Sequence, residues 1–423
     1  MSALSGWGRA LWERSPCVRY VNEDHHAGQW PNGIPASLGF REYLRFVRIT
    51  DIEAIHLRCE DPNIALFDGS YDDCVIRVST DEGITGIGEV ESLAPAIQAI
   101  INSDHAHNHA CGLRKLLVGR DPAQPKELWR LMYESTDYIG RRGLVMHAIG
   151  GIDIALWDIK GQVEGEPIAE LLGGQKRRRI EAYGTIYPMA GTVDGVEQQV
   201  EEAMRRLNLR NIKFAADPWW MEDLDKTANL LRAARRTIGN EAKLIIDAAL
   251  SYRTSEEGLQ LIPLLREVGV AFLEAPLPLD DVEGHARLAQ AGLPLGVGDL
   301  GLTHVNEFIE AMDRGGASIC QPDITMVGGF TGIATIAAAA GARGKRVITH
   351  GFKSNIEIAA NLHFLANHWT AELLEYSTSK SPLRWEMCEE SISVGSDGMV
   401  DVPQSPGLGV HLNQRTLERY RVS

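Results

Sequence analysis

The chain has 423 residues, 44% hydrophobic and 23% charged, the balance of a globular protein large enough for one big domain with a smaller one attached. Its 57 acidic residues outnumber 42 Lys and Arg, giving a net charge of −15 with no basic run; this argues against nucleic acid or an anionic membrane as partner, because phosphate binding needs clustered cations. Six scattered cysteines (Cys17, Cys59, Cys74, Cys111, Cys320, Cys388) form no CxxC pair, no apolar run is long enough for a bilayer and no signal-like start is visible, so reduced thiols and a cytoplasmic location are expected.

Residues 1–46 mix Pro, Gly, Trp and His without period and read as an N-terminal extension. From residue 47 the texture changes. ITDIEAIHLRCE and DDCVIRVSTDEGITGIGEVE predict three strands, the last two joined at a DEG turn, and helical patterns follow in PAIQAIINSDH, PKELWRLMYEST and LVMHAIGGIDIALWDIKGQVEG. Strands followed by helices over residues 47–175 imply a small α+β unit. Between residues 176 and 388, eight short apolar segments alternate with amphipathic stretches of helix length, the pattern of a parallel (β/α) barrel. An open doubly wound sheet would carry a Gly-rich phosphate turn after its first strand, and none is present. Residues 389–423 form a C-terminal segment.

Seven of the eight segments carry an ionisable residue at or near their end: Lys213, Asp247, Glu274, Asp299, Asp323, His350 and Glu375, spaced 24 to 34 positions apart. Barrel active sites lie at the C-terminal strand ends, and packing alone selects Val, Ile and Leu in a barrel interior. Asp247, Glu274 and Asp299 come from adjacent strands; three converging carboxylates repel unless a cation sits among them, and all-oxygen ligation suits Mg²⁺ first and Mn²⁺ second. Asp323 and His350 end neighbouring strands, the pairing that fixes a histidine's tautomer and prepares a general base. Glu375 either stays protonated to donate to a developing oxyanion or makes an ordinary lid contact.

These residues resemble the enolase superfamily and, within it, the mandelate racemase subgroup. The resemblance rests on GIDIALWDIKGQVEGEPIAELLGG, IIDAA, FLEAPLP, GVGD, QPD with MVGG, and THG, and runs from about Arg48 to the end. It implies an α+β capping domain, completed by the C-terminal segment, over a (β/α)7β modified TIM barrel. It also implies one Mg²⁺ per subunit on Asp247, Glu274 and Asp299, an Asp323–His350 acid–base dyad, and assembly as a homo-oligomer.

The sequence departs from the family's commonest pattern where a second lysine base would stand. The strand reads Lys213-Phe214-Ala215, and alternation turns Lys213 and Ala215 inward, so a methyl group fills the second base's place. Ala249 and Ala275 also replace polar residues frequent in the family, and the third ligand is Asp rather than Glu. One histidine acting first as base and then as acid implies loss of water from a polyhydroxylated acid. That resembles the acid-sugar dehydratases, the L-rhamnonate dehydratase group among them, with Lys213 as a fixed positive charge. An acid-sugar racemase or epimerase and a catalytically silent binding protein are the rival readings. HAHNHAC (His105, His107, His109, Cys111) reads as an exposed loop rather than a metal site. His25, His26, Tyr138, Arg141 and Arg142 are candidate specificity residues, Lys353, Asn355 and Trp385 candidate sugar contacts, and Trp219 and Trp220 either wall the site or pack under the cap.

Overall fold

The computed structural model describes residues 47–61, 68–187, 191–215 and 221–422. The N-terminal extension with Cys17, His25 and His26, and the pair Trp219 and Trp220, lie outside the described residues. Strands β1 (Ile49–Arg58), β2 (Asp72–Thr80) and β3 (Thr85–Val90) pair antiparallel in that order, β2 and β3 being joined across the predicted DEG turn. Helices α1 (Ala94–Asn102), α2 (Leu113–Leu117), α3 (Pro125–Ser135) and α4 (Leu144–Glu164) follow. The sequence reading missed α2, a single turn too short to show a period.

The sheet packs on α4, most of which is buried. β3 can lie against it because both backbones lack side chains at the contact: a Cβ on Gly88 would sit 2.0 Å from the Gly151 carbonyl oxygen. This sheet and its helices form a cap with a hydrophobic core of its own.

After the short α5 (Ile168–Leu171) the chain alternates regularly. The strands are β4 (Arg179–Ile186), β5 (Asn211–Ala215), β6 (Leu244–Asp247), β7 (Val270–Glu274), β8 (Leu295–Val297), β9 (Ile319–Cys320), β10 (Arg346–Thr349) and β11 (Ala371–Ser377). Between them lie α6 (Val193–Leu207), α7 (Leu224–Ile238), α8 (Ser255–Glu267), α9 (Val282–Gln290), α10 (Val305–Asp313), α11 (Gly329–Ala342) and α12 (Asn355–Asn367). Several helices start at a side chain that caps a free backbone N–H, Thr192 for α6, Asp223 for α7 and Asp281 for α9. All neighbouring strands are parallel and β11 pairs with β4, closing an eight-stranded barrel with seven intervening helices, the (β/α)7β arrangement.

Alternation sorts the strand residues into two layers. Tyr183, Ile245, Phe272, Ile319, Ile348 and Leu373 fill the barrel interior, while Ile212, Phe214, Leu244 and Ile246 join the core beneath the helices. Each such buried side chain contributes roughly 1.5–3 kcal/mol of transfer free energy. The interior layer forms an apolar floor under the polar residues at the strand ends. The chain then runs through α13 (Pro382–Glu386), β12 (Met399–Asp401), which adds antiparallel to the start of β4, and α14 (Gln414–Tyr420). It returns to the cap, where the Val422 N–H donates to the His56 carbonyl at 2.9 Å.

Candidate active site

β6 and β7 end on Asp247 and Glu274, paired in register, and Asp299 follows β8 by two residues. The ligand atoms these three carboxylates offer lie within 4.8 Å of one another, and all three residues are buried. The backbone pays for this convergence in strain. Ala249 and Ala275, just beyond the first two acids, sit at φ 43° and 41°, the left-handed region that costs an L-residue roughly 1–2 kcal/mol. Asp247 Oδ1 accepts from the Ala249 N–H at 2.8 Å, so the strained turn holds the acid in place.

Lys213 reaches the cluster from β5. Its ammonium, 1% exposed, bonds to Glu274 Oε1, lies 2.8 Å from Glu375 Oε1 and stands 3.8 Å from Asp247 Oδ2. Burial favours the neutral amine, but Glu274 and Glu375 outweigh it and hold Lys213 charged. Glu375, expected as a protonated donor or a lid contact, meets donors at both oxygens. It is buried inside β11 and accepts from Tyr183 Oη at 3.1 Å and from Thr185 Oγ1. Burial raises its carboxyl, yet Lys213 and then His350 pull it below the ordinary range, so it is an ionised acceptor.

Four carboxylates thus face one ammonium. Burial, then the charge of Asp247, pushes Asp299 up to about 7, and Asp299 Oδ1 is buried without a hydrogen-bond partner. An excess of convergent, hard oxygen donors with an orphaned oxygen among them fits a divalent cation such as Mg²⁺.

Across the barrel mouth, Asp323 and His350 are bridged between adjacent strand ends. His350 Nδ1 lies 2.8 Å from Asp323 Oδ2, which makes Nε2 the basic nitrogen. Burial lowers the imidazole's proton affinity, but Glu375 and Asp323 raise it well above the ordinary value. Asp323 is the reverse: burial raises it, while the bonds from His350 and Thr325 keep it ionised. A cavity of about 430 Å³ opens beside the ends of β4 and β11, lined by Tyr71 of the cap with Tyr187, Phe352, Ser379 and Arg206 of the barrel; the triad and the dyad do not line it.

Several residues expected to read the substrate make contacts within the protein. Lys353 Nζ donates to the Gly69 and Asp72 carbonyls at 2.5 and 2.8 Å, tying barrel to cap. Asn355 bridges Arg384 Nη1 (2.8 Å) and the Glu390 carbonyl (2.9 Å), and Trp385 Nε1 donates to the Ser379 carbonyl at 2.7 Å. Position after a strand does not fix the partners a side chain takes. Tyr138 is 77% exposed, and Arg142 makes a 3.6 Å ion pair with Glu307. In HAHNHAC the groups go to separate partners: His109 to Asp137 (2.9 Å), the His107 ring edge-on to Tyr138, and the Cys111 thiol to the His107 carbonyl.

The sequence reading passed over Tyr183, Thr185 and Gln321. The first two alternate inward on β4, a signal available in AYGTIY; Gln321 Nε2, in the QPD stretch, donates to Glu274 Oε2 at 2.5 Å. It also passed over Glu91 and Glu357, which with Asp323 and His350 form a second cluster of groups within 4.8 Å. Their contact joins segments more than 200 residues apart, and no local pattern reports it.

A closed parallel barrel with an acidic triad and an Asp–His pair at its C-terminal mouth, covered by a separate cap, is the layout of a barrel enzyme. Residues 195–416 match the family described as enolase C-terminal domain-like, and residues 70–173 match the mandelate racemase / muconate lactonizing enzyme N-terminal domain. The chain belongs to the mandelate racemase / muconate lactonizing enzyme group of the enolase superfamily. It is 30% identical over 359 residues to the D-galactarolactone cycloisomerase of Agrobacterium fabrum, covering 82% of this chain and 91% of that one. It is 31% identical over 350 residues to the arabinonate dehydratase of Saccharolobus solfataricus, covering 82% and 89%. A Streptomyces coelicolor racemase crystallised with bound magnesium superposes with a TM-score of 0.77 at 25% identity, over 88% of this chain and all of that one.

Proposed function

We propose that the protein is an Mg²⁺-dependent acid-sugar dehydratase that converts a polyhydroxylated acid to a 2-keto-3-deoxy acid. The observation that carries this reading is the single base. His350, oriented by Asp323, stands at one side of the mouth, while β5 offers, among the described residues, Ala215, 3% exposed, and Lys213, whose ammonium is engaged by Glu274 and Glu375. Among the described residues, racemisation by two opposed bases has no second partner in that arrangement.

Asp247, Glu274 and Asp299 would hold the cation, with Gln321 and Lys213 orienting Glu274. When bound, Mg²⁺ would supply the positive charge that binds the substrate carboxylate and stabilises its enediolate. His350 Nε2 removes the α-proton, and Asp323 stabilises the imidazolium that results. The same Nε2–H then protonates the 3-hydroxyl as its C–O bond breaks. Water leaves, an enol remains, and the enol becomes the 2-keto acid, so protons and electrons balance without a co-reactant.

The test incubates the protein with a panel of aldonic acids and Mg²⁺, assaying for 2-keto-3-deoxy acid and for α-proton exchange in deuterated water. The wild-type protein should dehydrate at least one acid, and His350→Asn should lose turnover and exchange by about 10²–10⁴-fold. Turnover in His350→Asn at the wild-type rate would sink the single-base reading. The cycloisomerase relative supports a second reading. In that reading the same proton abstraction would expel a ring oxygen that stays attached to the product. Mass spectrometry separates the two, since only dehydration loses the mass of water.

A further inference from the structure

Asp323 lies in the connection from β9 to α11, which the cap covers on several sides. Trp129 of α3 donates its indole N–H to the Gly328 carbonyl at 2.8 Å. Gly150 of α4 comes so close that a Cβ on it would lie 2.4 Å from the Thr325 carbonyl oxygen. Between these contacts Thr325, fully buried, makes three polar bonds. Its N–H and its Oγ1 both lie 2.7 Å from Asp323 Oδ1, and the Glu91 N–H, just past the end of β3, lies 3.0 Å from the same Oγ1.

A hydroxyl has one proton, and here its use is fixed. The backbone N–H of Glu91 can only donate and the ionised Asp323 can only accept, so Thr325 accepts from the cap and donates to the carboxylate. The bonds therefore run in one direction, from Glu91 N–H through Thr325 O–H to Asp323 Oδ1. Asp323 Oδ2 is left for His350 Nδ1 at 2.8 Å. Two donors on one carboxylate oxygen prevent rotation that would carry the other oxygen off the imidazole.

We propose that Thr325 is a positioning residue through which the last strand of the cap holds Asp323, and through it His350, in place for proton transfer; this rests on the dyad roles given above. Without the hydroxyl, the Asp323 charge is less well shared and falls more heavily on Oδ2, favouring the imidazolium form of His350. Glu91, His147, Glu357 and Glu375 also surround the dyad. All keep their identity in a Thr325 variant, and Thr325→Ser, which keeps a partner for the Glu91 N–H, separates loss of the methyl group from loss of the hydroxyl.

The experiment titrates His350 in the full-length protein with Mg²⁺ present, by NMR of ¹³C-labelled histidine, with His350→Asn used to assign the resonance. In parallel, kcat/KM is followed against pH for wild type, Thr325→Val and Thr325→Ser. Thr325→Val should raise the His350 midpoint by about half a pH unit or more and lower kcat/KM about 10-fold, mostly in kcat. Thr325→Ser, which keeps the hydroxyl and loses only a methyl group, should stay within about 3-fold of wild type with an unmoved midpoint. Should Thr325→Val fail to fold, Thr325→Cys, a weak donor and acceptor, replaces it and should shift both readouts away from wild type and from Thr325→Ser in the direction given for Val. A Val or Cys protein that titrates and turns over like wild type overturns the proposal, as does a Ser protein as impaired as Val. Turnover that survives His350→Asn strikes instead at the dyad reading, which the titration distinguishes because it needs no substrate.

Discussion

Removal of the ammonium of Lys213, as in Lys213→Met, tests the claim that the triad is built around excess negative charge. The methionine fills a similar volume, so the perturbation is mainly electrostatic. In the structure Lys213 Nζ is 2.8 Å from Glu375 Oε1 and 3.8 Å from Asp247 Oδ2, besides its bond to Glu274. At an effective dielectric of about 20, a pair at the first distance attracts by about 6 kcal/mol and at the second by about 4 kcal/mol. The cost of burying the ammonium offsets much of this, and breaking a buried ion pair typically leaves a net loss of about 3–5 kcal/mol. The assay is thermal and urea unfolding of wild type and variant, each in EDTA and in excess Mg²⁺. In EDTA the variant should be less stable by about that amount, and Mg²⁺ should restore a larger share in the variant than it adds to wild type, since the cation then neutralises acids that have lost their lysine. Equal stability of the two proteins in EDTA would refute the reasoning, because it would mean that Glu274 and Glu375 do not hold the ammonium as their distances assign.

Three further outcomes follow from named residues. His363 is fully buried and its neutral ring is used on both sides, accepting from the Ala169 N–H at Nδ1 and donating from Nε2 to the Leu408 carbonyl. Burial lowers its pKa from 6.5 to about 4, so the native state binds fewer protons than the unfolded chain between those values. The stability is therefore full above pH 6.5 and is lost as pH falls towards 4, by about 3 kcal/mol in all, and His363→Gln should flatten that part of the stability–pH curve. Ala249 holds φ 43°, so Ala249→Gly should gain up to about 1 kcal/mol in unfolding experiments, the relief of strain exceeding the added chain entropy. Gly88→Ala should fail to fold or lose more than about 3 kcal/mol, because its Cβ would meet backbone 2.0 Å away with no side chain to yield, and wild-type stability would contradict the packing described.

The barrel was legible in the chain because each βα unit is a local object. A short apolar run, a polar end and an amphipathic helix show their periods within one window, and seven of the eight strand ends announce themselves by an ionisable residue. Register made the rest of the site readable: alternation placed Lys213 and Ala215 inside and Phe214 outside, as found. What alternation cannot give is the partner. The sequence supplied a lysine in a core strand, but only closure of β5 beside β6 and β7, with β4 and β11 completing the ring, set its ammonium between Glu274 and Glu375 and so fixed Glu375 as an ionised acceptor. Lys353 shows the same limit from the other side, since a residue three places after His350 could equally have faced the mouth or the cap. Thr325 and Glu91, 234 positions apart, meet only because the cap folds down onto the β9–α11 connection. Pattern within a strand is decided by the chain's own stereochemistry, whereas contact between distant segments is decided by how whole elements pack, and no local period encodes it.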